Sequence, residues 1–171
     1  MCLMNVPTFE RQRVPRVADE RTMLDAWLEF HRATLLMKCS GLDEKQLKLR
    51  AAEPSTLSLL GLVRHMTEVE RGWFRRRIAG ESGDTAGPIY YTDERPDDDF
   101  DALDDTEVML VFDRYMREVE ACRRAAAGVS LDTVVGDYSV RWIMTHMIEE
   151  YARHNGHADL VRERIDGSTG V

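Results

Sequence analysis

The sequence predicts an all-α protein, a four-helix bundle in which one long crossover connection links the second helix to the third. Apolar residues recur at steps of three and four in four separate segments, which is the spacing of one helix face. Residues typical of helix caps stand at the ends of these segments. No strand-like alternation is convincing, because the candidate at 132–135 is too short to count. Four long helices with one long connection are typical of a bundle.

An N-terminal arm precedes the helical part of the chain. Residues 1–17 contain Pro7 and Pro15 and show no clear helical periodicity, so we expect them to cross the surface. Residues 18–171 are predicted to form a single domain. With 171 residues in all, the chain is long enough to bury a sizeable hydrophobic core without disulfide bonds.

Capping signals give the limits of the first two helices. The first is predicted from Asp19, an N-cap, to Gly41, a C-cap. A short acidic side chain satisfies free amides at a helix start, and glycine adopts the left-handed conformation that ends a helix. The second helix begins near Ser55 or Ser58 and runs to Gly80.

A long connection and two further helices complete the bundle. Residues 80–102 are rich in Gly and Asp, and a loop of this length in a compact domain either covers a site or is a mobile acidic segment. The third helix is predicted over 105–127. The fourth runs from Ser139 to Asp166 and stops at Gly167.

The charge of the chain argues against a nucleic-acid partner. The formal net charge is −8, whereas phosphate binding relies on clustered Lys and Arg. One basic cluster does occur, at Arg71–Arg77, but Glu68 and Glu70 lie on the same helix. We therefore interpret that cluster as a solvated helix face.

Cysteine content and hydropathy favour a cytoplasmic protein. Cys2, Cys39 and Cys122 are scattered, odd in number and form no CxxC motif, which is typical of a reducing compartment. The N-terminus lacks a signal-peptide pattern, and no apolar run approaches the length of a membrane span. We expect no membrane association.

Polar residues interrupt the apolar faces of two predicted helices. Glu150 and His154 are four residues apart and share the apolar stripe of the fourth helix. On the second helix, His65 lies between Leu62 and Val69. A buried carboxylate must be paired or bound to a metal. The fourth-helix stripe consists of Val140, Ile143, Met147, Glu150, His154, Val161 and Ile165.

These three residues predict a metal site inside the bundle, with His65, Glu150 and His154 as ligands. An i, i+4 pair on one helix can hold two ligands of the same ion. Three protein ligands leave coordination positions open, as in catalytic rather than structural sites. Zinc is the ion we expect first, while nickel, iron and manganese accept the same donors.

Other interpretations of the same residues remain open at this stage. Glu150 and His154 also fit a simple ion pair on one helix, and a lone histidine on an apolar face is commonly a core residue. His146 and Glu150 have the same four-residue spacing, but Met147 rather than His146 continues the apolar stripe. We expect His157 near the rim of the site or outside it.

Two long motifs resemble a known family. The segments LSLLGLVRHMTEVERGWFRR and HMIEEYARHNGHADLVRERIDG are similar to the DinB-like superfamily. They resemble most closely the subgroup related to mycothiol-dependent maleylpyruvate isomerase and mycothiol S-transferases. The similarity runs over about 18–167. It implies a four-helix bundle with a metal triad in which Glu replaces one of three histidines, and the matching positions are again His65, Glu150 and His154.

The resemblance implies a metal-dependent thiol S-transferase. Such an enzyme would conjugate a low-molecular-weight thiol such as mycothiol to an electrophilic small molecule, in detoxification or stress. The ion would supply a thiolate at neutral pH. A pocket for an apolar electrophile would be lined by Ile143, Met147, Trp27 or Tyr151, although ordinary core packing is the interpretation we favour for any single one of them.

Two alternatives use the same triad. One is a metal-dependent hydrolase or isomerase, in which water or another ligand takes the place of the thiol. The other is a non-enzymatic metal-binding stress protein. In all three cases the partners are small molecules, and a homodimer formed through one helix face is compatible with such a bundle.

Overall fold

A computed structural model describes residues 10–170, and within them four long helices form the predicted bundle. The α-helices are α1 (Glu20–Cys39), α2 (Glu44–Lys48), α3 (Leu59–Glu70), α4 (Asp98–Asp101), α5 (Val108–Ala126) and α6 (Val140–Asp166). A π-helical extension, Arg71–Ile78, continues α3 without a break. A 3₁₀ turn spans Gly83–Thr85. The all-α fold class is confirmed.

The bundle is built from two main helix pairs. Helix α1 packs along α6, α3 packs against α5, and α3 also contacts both α1 and α6. Helix α3 thus faces α6 at the centre of the molecule, so side chains on these two helices can meet. The largest fully buried side chains of the core include Tyr115, Tyr151, Phe74, Phe112, Leu28, Leu35, Leu62, Met66 and Ile143.

Most of the predicted helix limits are correct because side-chain caps are local signals. Asp19, Ser58 and Ser139 each accept a hydrogen bond from the backbone amide three residues later, which selects Ser58 over Ser55. Gly167 ends α6 with a φ of 77°. Helix α1 stops slightly early, with Ser40 as its C-cap.

Three short elements were not expected. Helix α2 forms behind a capping box made by Asp43 and Gln46. Helix α4 forms within the long connection, and strands β1 (Val134–Val135) and β2 (Tyr138–Ser139) make an antiparallel hairpin. The segment at 132–135 therefore does contain a strand, because Gly136 supplies a φ of 60° at the turn.

The interpretation of Arg71–Arg77 as a solvated face is wrong for part of the segment. Arg71 is only 8% exposed and lies 2.7 Å from Glu118 on α5. Arg75 pairs with the same carboxylate at 3.1 Å, and Glu70 is fully buried. The wider π-helical turn changes which side chains face the core.

In the described range, none of the helices combines the length and the apolar character needed to cross a membrane.

Candidate metal centre

The structure brings the three predicted ligands together where α3 faces α6. His65, Glu150 and His154 each offer one ligand atom, and these atoms all lie within 4.8 Å of one another. His154 Nε2 is 3.4 Å from Glu150 Oε2, and the two imidazole rings are 4.7 Å apart. The side chains of His65, Glu150 and His154 are only 24%, 15% and 11% exposed.

His65 is held in place by a residue that the sequence did not reveal. Its Nδ1 lies 2.8 Å from Asp99 Oδ2, and its ring stacks on Phe100 at 4.6 Å. The hydrogen bond occupies Nδ1 and leaves Nε2 for a ligand, the usual arrangement around metal-bound histidines. Asp99 belongs to α4 in the long connection, and a run of aspartates does not indicate which one turns inward.

His154 is a neutral imidazole at physiological pH. Burial lowers the pKa of His154 to about 4, and the neighbouring His65, His157 and Arg153 act in the same direction. A neutral ring has a free lone pair, which metal binding requires. His157 lies beside it, with its Nδ1 3.4 Å from His154 Nδ1.

A second group of candidate ligands shares Glu150. His146 Nδ1 lies 3.2 Å from Glu149 Oε2, and His146 Nε2 lies 3.6 Å from Glu150 Oε1. This group also satisfies the distance limits for a metal. However, Glu149 is exposed and pairs with Arg153, and all three residues come from one helix. The geometry leaves His146 as a neighbour that borders the triad.

The suggested pocket lining beside the ion is wrong, and the favoured alternative of core packing is confirmed for three of the four residues. Ile143, Met147 and Tyr151 are fully buried in the core. Trp27 is exposed on α1, where it packs against Phe30 and His31. An apolar stripe alone cannot distinguish core from pocket, because both bury the same residue types.

A different cavity, of about 480 Å³, opens beside His65, and we call it the acceptor cavity. Its walls come from α3, the π-helical extension and the long connection. A larger cavity of about 740 Å³ contains none of the predicted ligands. The acceptor cavity is lined by His65, Glu68, Val69, Gly72, Trp73, Arg76, Arg77, Tyr91, Pro96 and Asp99.

Glu68 fastens the long connection to α3. Its Oε1 accepts hydrogen bonds from the backbone amides of Ile89 and Tyr90, both at 2.6 Å. Burial raises the pKa of the Glu68 carboxyl, and the two amides oppose that shift. The connection is therefore anchored at one wall of the acceptor cavity by a buried side chain of the helix that carries His65.

A comparison with protein families identifies the chain. A family model described as Mycothiol-S-transferase matches residues 23–167. The chain belongs to this family. The match spans both helices that carry the triad and confirms the DinB-like resemblance. Comparisons with curated proteins and with solved structures found no significant match.

Membership of the family supports a thiol-transferring enzyme whose substrate is a small-molecule thiol. The donor set fits a divalent ion of the zinc type, because two imidazoles and one carboxylate are common ligands of such ions. His65 has its outer hydrogen bond and His154 is neutral. The residues present therefore suit a metal with open coordination positions.

Asp99→Asn should weaken metal binding by about tenfold to a hundredfold, the usual effect of losing a charged partner behind a histidine ligand. The carboxylate orients the His65 ring through its hydrogen bond to Nδ1. Competition with a chromophoric zinc chelator would measure the affinity. Asp97→Asn is the control, since Asp97 is exposed and makes no capping hydrogen bond with its side chain. Equal zinc affinities for the two variants would contradict this role of Asp99.

Proposed function

We propose that this protein is a metal-dependent thiol S-transferase that conjugates a low-molecular-weight thiol such as mycothiol to an electrophilic small molecule. The observation that carries this proposal is the convergence of His65, Glu150 and His154 within 4.8 Å of one another, with His65 also in the wall of the acceptor cavity. The family match supports the thiol chemistry. Zinc is the ion we propose, with nickel, iron and manganese as alternatives, and we propose a cytoplasmic role in detoxification.

Each residue of the triad would contribute differently to binding such an ion. A bound divalent ion would act as a Lewis acid that lowers the pKa of a thiol and makes the thiolate available at neutral pH. His65 is fixed by Asp99, His154 is neutral, and Glu150 contributes a negative charge that partly offsets the charge of the ion. The oriented donors reduce the reorganisation needed during the reaction.

The overall reaction is a substitution at carbon. The thiolate sulfur forms a new bond to the electrophilic carbon, the leaving group departs with the bonding electron pair, and the thiol proton passes to water. Trp73 and Tyr91 in the cavity wall would position the electrophile. Holding both reactants in one cavity lowers the entropic cost of their encounter.

The protein's buried cysteines are not expected to supply the nucleophile. Cys39 and Cys122 are fully buried, and burial raises the pKa of Cys39 to about 12 and that of Cys122 well above its usual value. Below these pKa values both thiols are protonated. We expect peptides containing either residue to stay unlabelled by iodoacetamide at pH 8 in the folded protein and to be labelled in urea, as measured by mass spectrometry. Rapid labelling without urea would contradict their burial.

Fluorescent conjugation tests the proposed function directly. The zinc-loaded protein is incubated with mycothiol and monochlorobimane, and conjugate formation is compared with the uncatalysed rate. We expect acceleration that disappears with a chelator and in His154→Ala. His31→Ala is the matched control, because it removes a half-buried imidazole of α1 outside the triad. Bound metal without acceleration by any thiol would refute the transferase.

A second assay, for hydrolysis without a thiol, separates the two alternatives. Ester or amide hydrolysis without a thiol, abolished by a chelator, would identify a hydrolase on this triad. Stoichiometric metal with no turnover in either assay would identify a metal-binding protein that is not an enzyme.

A further inference from the structure

The π-helical extension forms one wall of the acceptor cavity. Arg71–Ile78 follows α3 directly, and the amide of Ala79 donates to the carbonyl of Phe74, five residues earlier. Such helices are rare and occur frequently at functional sites. Here the extension directs Trp73 and Arg76 into the cavity that contains His65.

Two of the four arginines on this extension lack an acidic partner. Arg71 and Arg75 both pair with Glu118. Within residues 10–170, neither Arg76 nor Arg77 has a carboxylate oxygen within 4.0 Å. In a chain with a net charge of −8, two guanidinium groups without an ion-pair partner in one cavity suit an anionic ligand.

Glu68 and Asp99 also line the cavity, and the positive charge of Arg76 opposes the burial that raises the pKa of Glu68, but neither carboxylate forms an ion pair with either of the two arginines. Glu68 Oε1 accepts two backbone amides of the long connection. Asp99 accepts from the amide of Phe100 and contacts His65. Among the residues that the structure describes, Arg76 donates a side-chain hydrogen bond only to the hydroxyl of Tyr91, at 3.4 Å. Its fork of donors is largely unused by the protein.

The Arg76 guanidinium packs closely on Gly72. A Cβ atom at Gly72 would lie 2.9 Å from Arg76 Nη2. A larger residue at position 72 would therefore require the flexible end of Arg76 to shift.

An aromatic surface adjoins the two arginines. The Trp73 ring lies 5.3 Å from Tyr138, 5.5 Å from Trp142 and 4.8 Å from His146. Trp142 stacks on His146 and is 45% exposed. The guanidinium of Arg77 lies 4.5 Å above Trp73. Flat apolar groups bind well against such a surface.

We propose that the acceptor cavity binds a flat, unsaturated or aromatic electrophile that carries a carboxylate, with its plane against Trp73 and its carboxylate at Arg76. The inference rests on the proposed function only in treating this ligand as the acceptor of the thiol. With 4-(chloromethyl)benzoate, the thiolate sulfur displaces chloride from the benzylic carbon, a C–S bond replaces the C–Cl bond, and the thiol proton passes to water.

Binding of an unreactive analogue tests the subsite without any turnover. Isothermal titration of 4-methylbenzoate is compared with 4-methylbenzamide, which has the same shape and no charge. We expect the wild-type protein to prefer the acid by about tenfold or more, since a charge-assisted hydrogen bond is lost in the amide. Arg76→Gln should remove this preference, and Arg76→Lys should keep part of it.

Two controls make the titration specific. Arg117→Gln removes an exposed guanidinium of α5 outside the cavity, and the preference for the acid should stay unchanged. The titrations are repeated with zinc-loaded and zinc-free protein, because a carboxylate can also bind a metal directly. Circular dichroism confirms that each variant is folded.

Three results would overturn the subsite. They are equal affinity for acid and amide, failure of 4-methylbenzoate to bind, and a preference that depends on zinc but not on Arg76. Conjugation assays then separate the subsite from the proposed function. If 4-(chloromethyl)benzoate and its amide are conjugated at equal rates, and Arg76→Gln does not change these rates, the transferase is supported and the carboxylate subsite is refuted. If 4-methylbenzoate binds in an Arg76-dependent way but no conjugation occurs, the subsite is supported and the transferase is refuted.

Discussion

Glu70→Ala should destabilise the protein by about 3–5 kcal/mol, the usual cost of leaving one partner of a buried ion pair uncompensated. Glu70 is fully buried at the end of α3. Its two carboxylate oxygens accept from Arg32 Nε and Nη2, both at 2.7 Å. Tyr151 also donates to Glu70, at 2.8 Å. Removing the carboxylate leaves the Arg32 guanidinium charged and without this partner inside the bundle.

The Arg32–Glu70 ion pair links the α1–α6 helix pair to the α3–α5 helix pair. Arg32 lies on α1, Glu70 on α3 and Tyr151 on α6, while Tyr115 of α5 lies 2.9 Å from the Tyr151 hydroxyl. Burial raises the pKa of Tyr151 well above its usual value, so the hydroxyl remains a donor. One carboxylate therefore organises polar groups from all four long helices.

Urea denaturation followed by circular dichroism would measure the loss. Glu120→Ala is the control, because Glu120 is exposed on α5 and pairs only with neighbouring arginines, and surface pairs are worth less than about 1 kcal/mol. Glu70→Gln keeps the shape of the side chain and should fall between the two. Arg32 also pairs with Glu29, at 2.6 Å, so a loss below about 1 kcal/mol for Glu70→Ala would show that Glu29 alone compensates the buried charge.

Glu150→Gln and His154→Ala should each reduce zinc affinity by more than about a hundredfold, because removing a ligand costs more than removing an outer hydrogen-bond partner. Glu150 supplies the only carboxylate of the triad, and the amide of glutamine is a much weaker donor to zinc. Thiol conjugation should fall with metal content in both variants. Elemental analysis and competition with a chelator would measure the binding.

Two histidine variants decide between the overlapping ligand groups. His146→Ala should retain zinc if His65, Glu150 and His154 hold it, and should lose it if His146 and Glu149 take part. His31→Ala should retain zinc in either case. If His154→Ala binds zinc as tightly as the wild-type protein does, the proposed metal centre is refuted.

Local signals in the sequence predicted most of the fold. Caps at Ser58 and Ser139 are visible because they act within one helical turn. The short helices α2 and α4 and the hairpin lie below the length at which periodicity can be recognised. The buried position of Arg71 was missed because a π-helix has more residues per turn than the α-helix used to assign its faces.

The candidate site was predictable only where it interrupts a pattern. Glu150 and His154 stand out because a carboxylate and an imidazole replace apolar residues in the stripe of α6. Asp99, Arg76 and Tyr91 give no such signal, since polar residues in loops and on exposed faces are ordinary. Tyr91 and Asp99 come close to His65 through the path of the connection, and Arg76 enters the same cavity from the π-helical extension; both are tertiary properties.

The hydrogen bonds of Glu68 divide the long connection into a segment that is anchored to α3 and a segment whose length can be changed. Backbone amides at Ile89 and Tyr90 are tied to α3, whereas Thr92 and Arg95 bond to each other across a small exposed turn, and Arg95 also bonds to Asp98 at the start of α4. Residues inserted at that turn would deepen the mouth of the cavity while leaving His65 and Asp99 in register. Substrate range could thus be re-engineered by loop grafting without rebuilding the helices beneath.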